Sequence, residues 1–217
     1  MSKVIRIAID GPSGAGKSTI AKALAEKLKI DYIDTGAMYR ATGYKLKKEN
    51  TDLDNEEELK RILDSTEIDF SDGHIFIDGE LADNVIRTPE MAKQASVCSA
   101  IGLVREKLVD LQRAMGMTKS VIMDGRDIGT NVFPDAEFKF YLVASPEVRA
   151  DRRYRELLEK GQKVEFQQVL EDIRARDHSD MTRKLNPLRK AEDAIEVNSD
   201  HMTIEEVTQY IYKIITK

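Results

Sequence analysis

Residues 11–18 read Gly-Pro-Ser-Gly-Ala-Gly-Lys-Ser, a complete G-x-x-x-x-G-K-[ST] pattern, and this stretch decides the fold. It follows an apolar run over residues 4–9 and opens a helical pattern over residues 17–28. In that strand-loop-helix context the glycines let the backbone amides turn inward, and the helix directs its positive N-terminal end at the same point. The stretch therefore predicts a loop that binds the phosphates of a nucleoside triphosphate.

Within this loop we expect Lys17 to reach the outer phosphates, Ser18 to hold Mg²⁺ and Thr19 to lie nearer the inner phosphates. A chance glycine-rich turn is the alternative, and the flanking strand and helix argue against it. The predicted contacts to the phosphates of the nucleotide are Gly11, Pro12, Ser13, Gly14, Ala15, Gly16, Lys17, Ser18 and Thr19.

The composition limits the classes of partner. The 217 residues are 41% hydrophobic, enough for a sound core, and a net charge of −5 offers no field that would attract nucleic acid or an anionic membrane. Cys98 is the single cysteine, so no intrachain disulfide forms and a reducing compartment fits. No stretch approaches the 18 apolar residues of a membrane span. We expect a cytoplasmic protein with no membrane partner.

Apolar runs and helical patterns alternate along the chain, which predicts an α/β protein with a parallel sheet. The candidate strands after the first are residues 30–34, 121–123, 138–143 and 194–197. A capping box, Thr203-x-x-Glu206, opens a last helix that should cover the sheet.

Three further regions of the sequence each predict a local structure of their own. Alternating residues over 66–87 with two Asp-Gly turns predict a small antiparallel meander. Residues 90–114 form one long helical pattern, and residues 146–190 predict a helix-loop-helix arm broken at Asn186-Pro187.

Arginine is concentrated in that arm, which holds 8 of the chain's 15 arginines. Guanidinium groups grip phosphate oxygens bidentately, so the arm is a candidate phosphate clamp. The alternative is a solvated helix face with ion pairs to neighbouring acids, and for Arg149 and Arg155 the two interpretations carry equal weight.

Three further motifs narrow the function. Asp34-Thr-Gly-Ala-Met-Tyr-Arg40 follows the second strand, Asp124-Gly-Arg-Asp-Ile-Gly-Thr130 follows residues 121–123, and Arg176-Asp-x-x-Asp180-x-x-Arg183 lies in the arm. With residues 10–19 before them, in this order, the chain closely resembles the bacterial-type cytidylate kinases of the nucleoside monophosphate kinase family. The resemblance runs nearly end to end.

The resemblance implies a P-loop nucleoside monophosphate (NMP) kinase fold, a parallel β-sheet core flanked by helices. It implies one cytidylate kinase domain with a core of residues 1–34, 116–148 and 191–217, an NMP-binding region carrying a β insertion at 35–115, and an arginine-rich lid at 149–190. The activity it implies is transfer of the γ-phosphoryl group of ATP to CMP or dCMP, with Mg²⁺, in pyrimidine nucleotide metabolism.

The resemblance also assigns roles. The catalytic set is Lys17, Arg126, Arg152, Arg153 and Arg183, and Ser18 and Asp124 hold Mg²⁺, the latter directly or through water. The substrate-binding set is Thr35, Arg40, Ser96, Arg105, Asp124, Asp127, Arg176 and Asp180.

Base chemistry agrees with three of these assignments. A carboxylate at Asp127 matches the amino group of cytosine, while Arg105 and Ser96 match its acceptors, and uracil would mismatch the carboxylate. Plainer interpretations stay open: a helix serine at Ser96, a solvated ion pair to Glu106 or Glu90 for Arg105, and a strand-end turn at Asp124.

Other classes fit less well. A guanylate kinase should carry R-x-P-R-x-G-E, and the chain has only Arg87-Thr-Pro-Glu90, placed after the meander. A regulatory GTPase should carry N-K-x-D, yet no asparagine here precedes a lysine. A nucleic-acid-dependent ATPase would need a basic groove and stacking aromatics, whereas the chain is acidic and 6% aromatic. We therefore expect small-molecule substrates, no nucleic acid and a monomer.

Overall fold

The computed structural model describes residues 4–71 and 73–217. Two compact units make up the chain: one runs up to Tyr32 and resumes at Ser120–Lys217, and the other is Ile33–Lys119. The division into core, NMP-binding region and lid is not tested by this partition and stays a prediction.

The first unit is built on a parallel sheet, as the alternating pattern predicts. The strands of this sheet are β1 (Arg6–Asp10), β2 (Asp31–Asp34), β6 (Val121–Gly125), β7 (Phe138–Val143) and β8 (Ile195–Asn198), in the order β2-β6-β1-β7-β8. The boundary between the two units falls within β2, after Tyr32. β1 pairs in parallel with both β6 and β7, so it is central. The loop that follows β1 therefore leaves the middle of the sheet at the carboxyl ends of its strands, where ligands bind in open α/β sheets.

Two helices cover the core of this sheet. Helix α1 (Lys17–Leu28) buries Ile20 and Leu24, and helix α8 (Ile204–Ile215) buries Val207 and Ile211 in the same apolar cluster as the strands. The predicted capping box at Thr203 is present, with Glu206 as its partner. The prediction that the last helix packs on the sheet is confirmed.

The arm also belongs to the first unit. Helix α6 (Pro146–Glu159) and helix α7 (Phe166–Thr182) pack through Ala150, Leu157 and Ile173. The break between them lies at residues 160–165, with Gly161 at φ 73°, so the prediction of a break at Asn186-Pro187 is wrong. Those two residues follow the second helix, because a glycine with positive φ ends α6 first.

The second unit carries helices α2 (Thr35–Lys48), α3 (Glu56–Ser65), α4 (Pro89–Cys98) and α5 (Gly102–Thr118). It also holds the predicted antiparallel meander, β3 (Ile68–Ser71), β4 (His74–Ile77) and β5 (Glu80–Leu81). The meander is confirmed, although β5 is shorter than the predicted run to Ile86. Of the two Asp-Gly turns, the first includes Asp72, which lies outside the described residues.

The expectation of one helical pattern over residues 90–114 is wrong. Helix α4 ends at Cys98 and α5 begins at Gly102, with tight backbone hydrogen bonds from Ala100 to Val97 and from Ile101 to Cys98 between them. Apolar spacing alone does not reveal such a break, because both helices keep the helical period on either side of a three-residue turn.

Candidate functional site

The loop of residues 11–16 closes tightly between β1 and α1. The Nζ of Lys17 donates to the carbonyl of Pro12 at 2.7 Å, and Lys17 is 5% exposed. Gly11 has φ 147°, and a Cβ built on it would lie 2.1 Å from the carbonyl oxygen of Leu142. Only glycine therefore fits at the point where the loop leaves the sheet.

The pKa of Lys17 is set by opposing effects of its surroundings. Its burial, together with the guanidinium of Arg126, lowers its pKa to about 7, while Asp124, Asp180 and Asp10 act in the opposite direction. An anionic phosphate brought to this nitrogen would favour the charged ammonium. The arrangement suits a lysine whose counter-ion is a ligand.

Ser18 lies beside the carboxylate of Asp124. The Oγ of Ser18 donates to one oxygen of Asp124 at 2.9 Å, and the hydroxyl of Tyr32 donates to the other at 2.8 Å. The plain interpretation of Asp124 as a turn former is incomplete, because its side chain is buried within this hydrogen-bond network. A hydroxyl and one carboxylate are the hard oxygen donors that Mg²⁺ takes from a protein when substrate phosphates and water complete its shell.

Asp10 ends β1 and holds the turn that follows β6. Its carboxylate accepts from the backbone amides of Ile128 at 2.8 Å and Gly129 at 2.7 Å, which open a single π-helical turn over Ile128–Val132. Burial raises the pKa of Asp10 to about 6, against the effect of these two amides. The contact fixes the segment next to Arg126 and Asp127.

Two buried arginine–carboxylate pairs join that segment to the arm. The Nε of Arg126 donates to Asp180 at 2.7 Å, and an Nη of Arg183 donates to Asp127 at 2.9 Å and to the carbonyl of Asn186 at 2.5 Å. Asn131 also donates to Asp127, at 3.1 Å.

The charges within this cluster support one another. Burial alone would raise the pKa of Asp180, but Arg126, with Arg176 and Arg183, holds it below its ordinary value. Burial alone would lower the pKa of Arg126. The negative charges of Asp180, Asp124 and Asp10 outweigh burial and raise that pKa above its ordinary value. Five predicted site residues thus meet in one cluster: Arg126, Asp127, Arg176, Asp180 and Arg183.

The arginines of α6 differ from one another. Arg152 donates to the carbonyl of Ser199 at 2.7 Å, and Arg153 pairs with Glu156 on its own helix. Arg155 pairs with Asp151, as the solvated-face interpretation predicts. Arg149, for which that interpretation was equally weighted, is 2% exposed and pairs with Asp177, so the solvated interpretation is wrong for it.

The predicted residues of the second unit lie on its helices. Thr35 is buried in the first turn of α2, which Asp34 caps, and Arg40 pairs with Asp34 at 3.0 Å. On α5, Arg105 is 3% exposed and its guanidinium lies 5.7 Å from the ring centroid of Tyr39. Its solvated ion-pair interpretation is wrong.

Ser96 lies on α4 and is partly exposed; its carbonyl accepts from the hydroxyl of Ser99 at 2.9 Å. Glu90, offered as a partner for Arg105, instead pairs with Lys47. The contact of Ser96 with a base stays a prediction.

Sequence reasoning missed three residues that shape the site, Tyr32, Asn131 and Asp177, and it named Arg149 without its partner Asp177. Asp177 stood inside the quoted arm motif, beside Arg176, and that position was its available signal. The partners of Tyr32 and Arg149 are more than 90 and 25 residues away in sequence, respectively, so only folding brings them together.

Two searches of the described residues were negative. Over 4–71 and 73–217, no group of three or more His, Cys, Asp or Glu side chains is arranged to hold a metal. In the same residues no helix is long and apolar enough to cross a membrane.

Comparison with known proteins assigns the family. The model of the cytidylate kinase family matches residues 7–217. The chain belongs to the cytidylate kinase family. It is therefore a kinase, a nucleotide-binding transferase.

Individual relatives agree. The chain is similar to a cytidylate kinase of Clostridioides difficile, 51% identical with 94% of this chain and 95% of that protein covered. One from Caldicellulosiruptor saccharolyticus is 50% identical, with 99% and 97% covered.

Solved structures support the fold alone. A shikimate kinase of Bacteroides thetaiotaomicron aligns with a TM-score of 0.50 and 16% identity, over 98% of this chain and 99% of that one. An uncharacterised protein of Eubacterium ventriosum gives a TM-score of 0.54 at 16% identity, over 99% of both chains. The predicted P-loop kinase fold, a helix-flanked parallel sheet with a small antiparallel sheet, is confirmed.

Proposed function

We propose that this kinase transfers the γ-phosphoryl group of ATP to CMP or dCMP, giving ADP and the nucleoside diphosphate. The observation that carries the proposal is the placement, within one unit, of Lys17 in a phosphate loop beside a buried cluster of three arginines and two carboxylates. Family membership supplies the acceptor, because the relatives are named cytidylate kinases.

The chemistry asks for positioning and charge stabilisation more than for proton transfer. The transferred phosphoryl group spreads negative charge over its oxygens in the transition state. An acceptor phosphate is already ionised near neutral pH, so no general base is required. Lys17 follows the γ-phosphoryl group, and Arg126 and Arg183 neutralise charge between donor and acceptor.

Mg²⁺ is proposed as the cofactor, held by Ser18 and Asp124 with Tyr32 fixing the orientation of the carboxylate. When bound, the ion neutralises phosphate charge on the donor nucleotide. To hold the ion, the hydroxyl of Ser18 would turn its proton away from Asp124 and offer an oxygen lone pair.

We assign CMP binding to the residues that the resemblance indicates. Arg176 and Arg183 contact the acceptor phosphate and ribose, and Asp180 accepts from a sugar hydroxyl. Asp127 accepts from the cytosine amino group. The remaining acceptor contacts are Thr35, Arg40, Ser96 and Arg105.

Asp127 accepts a hydrogen bond from Arg183, and Asp180 accepts one from Arg126. Substrate binding must therefore exchange part of these ion pairs for contacts to the nucleotide. Because pairs and ligand compete for the same groups, the carboxylates are never left buried without a partner. Arg152 and Arg153 are proposed to close over the triphosphate and exclude water.

An ADP-release assay with MgATP and CMP, dCMP, UMP, AMP or GMP as separate acceptors tests the proposal. We expect CMP and dCMP to stimulate ADP release and the other three to do so weakly. Stimulation by none of them would exclude NMP kinase activity, and stimulation by GMP alone would indicate a guanylate kinase. Omitting Mg²⁺ tests the cofactor in the same format.

The wider setting follows from this activity. We propose that the enzyme acts as a cytoplasmic monomer in pyrimidine nucleotide metabolism, on small-molecule substrates and without nucleic acid. Sedimentation of the purified protein with and without ATP and CMP would reveal a dimer if one forms.

A further inference from the structure

The side chain of Arg149 donates hydrogen bonds to three separate segments of the first unit. Its Nε donates to the carbonyl of Ala144 at 2.9 Å, and one Nη donates to the carbonyl of Ser13 at 3.0 Å. The two Nη atoms also donate to the two carboxylate oxygens of Asp177, at 2.9 and 2.5 Å. Four of the five N–H donors of this guanidinium are therefore used by protein partners, and 2% of the residue is exposed.

The bond to Ser13 acts on the phosphate loop itself. In a trans peptide the carbonyl of one residue and the N–H of the next point in opposite directions. By holding the carbonyl of Ser13, Arg149 turns the N–H of Gly14 to the side away from itself. Gly14 has φ 77°, and a Cβ built there would lie 3.3 Å from the Cβ of Arg149, so this peptide packs closely on the arginine.

Asp177 fixes the arginine from α7. A two-pronged pair between guanidinium and carboxylate sets the plane of the guanidinium as well as its distance. Asp177 lies one turn before Asp180, which holds Arg126. The same short helical segment therefore secures both the phosphate loop and the arginine cluster.

We propose that Arg149 is a positioning residue for ATP: held by Asp177, it sets the Ser13–Gly14 peptide so that the Gly14 amide is presented to the phosphates. The inference rests on the proposed function, namely that residues 11–19 bind ATP. Arginine is required because lysine carries three donors on one nitrogen and cannot reach Ala144, Ser13 and both oxygens of Asp177 at once.

The first test is Arg149→Lys, with ATP affinity measured by titration of a fluorescent ATP analogue. Displacing a binding group by a fraction of an ångström weakens its contacts, and we expect about tenfold weaker ATP binding and a matching rise in the KM for ATP. The KM for CMP should change by less than about threefold, because only the donor loop is displaced. Arg149→Met should have a larger effect of the same kind.

Asp177→Asn tests the mechanism without touching the loop. It keeps the shape of the side chain but weakens the hold on Arg149, so ATP affinity should fall by a similar factor. The double variant Arg149→Lys with Asp177→Asn should bind ATP about as weakly as either single variant, because both changes break the same chain of contacts. Unchanged ATP affinity in Asp177→Asn, or losses that multiply in the double variant, would overturn the inference.

Arg6→Lys is the matched control. Arg6 begins β1, at the other end of the strand from the phosphate loop, and pairs with Asp135 and Glu137 with 18% of its side chain exposed. The Arg6→Lys variant should have a lower melting temperature than wild type and the same ATP affinity.

If Arg149→Lys behaves like Arg6→Lys, or if both Arg149→Lys and Asp177→Asn fail to fold, the ion pair is only structural and the inference is wrong. If wild-type protein does not bind ATP, the proposed function fails. If it binds ATP and Arg149→Lys binds it equally well, only this inference fails.

Discussion

The phosphate loop and the arginine arm, both of which we propose to bind phosphate, offer it different chemical groups. The loop of residues 11–16 uses backbone amides, whose positions follow from a contiguous stretch of sequence. The arm uses side chains on α6 and α7, and identical arginines end up in different environments: Arg149 buried in an ion pair, Arg155 on the surface. Backbone recognition is local, whereas the role of a side chain depends on which distant group it meets.

Lys17→Ala is expected to give the largest effect, because Lys17 is the side chain of the loop assigned to the transferred group. Turnover should fall by about 10³-fold or more with every acceptor, through lost transition-state stabilisation. Lys22→Ala, an exposed lysine on the same helix, is the control and should retain normal turnover. A kcat for Lys17→Ala within a few-fold of wild type would remove the lysine from its role.

Gly11→Ala tests the backbone side of the comparison. The new Cβ would collide with the carbonyl of Leu142, and the residue would have to adopt a positive φ, so we expect about 3 kcal/mol of destabilisation in urea unfolding. Gly161→Ala in the arm also has positive φ, but nothing lies within 4 Å of its Cβ, and it should cost about 1 kcal/mol. Equal costs would show that the steric contact with Leu142 is relieved.

Asp127→Ala tests the side-chain part. Loss of this carboxylate frees Arg183 and removes the proposed acceptor for the cytosine amino group. We expect kcat/KM for CMP to fall by about 10²-fold and the preference for CMP over UMP to shrink, since one buried polar contact is worth about this much in specificity. A slower enzyme that keeps its full selectivity would place base recognition elsewhere.

Asp10→Asn gives the smallest expected effect and reports on the contact between β1 and the turn at Ile128. The folded pKa of Asp10, about 6, lies above its unfolded value of 3.8. The folded state therefore binds more protons between these values, and this contribution to stability falls as pH rises from about 4 to 6. The asparagine variant lacks the titration.

The free energy of unfolding of wild type, relative to Asp10→Asn, should thus be greater at pH 4.5 than at pH 7, by about 2 kcal/mol. Urea titrations of both proteins at the two pH values measure it. A difference independent of pH would mean that Asp10 keeps an ordinary pKa in the folded protein.

Features of the fold that depend on residues close together in the sequence were the ones that the sequence predicted. The limits of α1, the capping box at Thr203 and the meander over 66–87 depend on neighbouring residues and were predicted. The turn between α4 and α5 was not, because helical spacing continues on both sides of it. The predicted break of the arm at Asn186-Pro187 was wrong because Gly161, with its positive φ, follows the end of α6 well before that proline.

In the candidate site too, the sequence predicted which residues take part but not how they pair. The presence of Lys17, Ser18, Asp124 and the arm arginines in ordered motifs could be read from the chain, and the family they indicated is confirmed. The pairing of Arg126 with Asp180 and of Arg183 with Asp127 could not, since each joins residues more than 50 positions apart.

The sequence by itself determined the phosphate loop, the parallel sheet and the family, because glycine spacing, apolar runs and motif order are local or ordered along the chain. Only the tertiary structure decided which arginine faces which carboxylate, and that Arg149 donates a hydrogen bond to the carbonyl of Ser13 in the loop. The physical reason is that burial makes an ion pair depend on exact partners, and those partners are brought together only when α6, α7 and the loop pack around the end of the sheet.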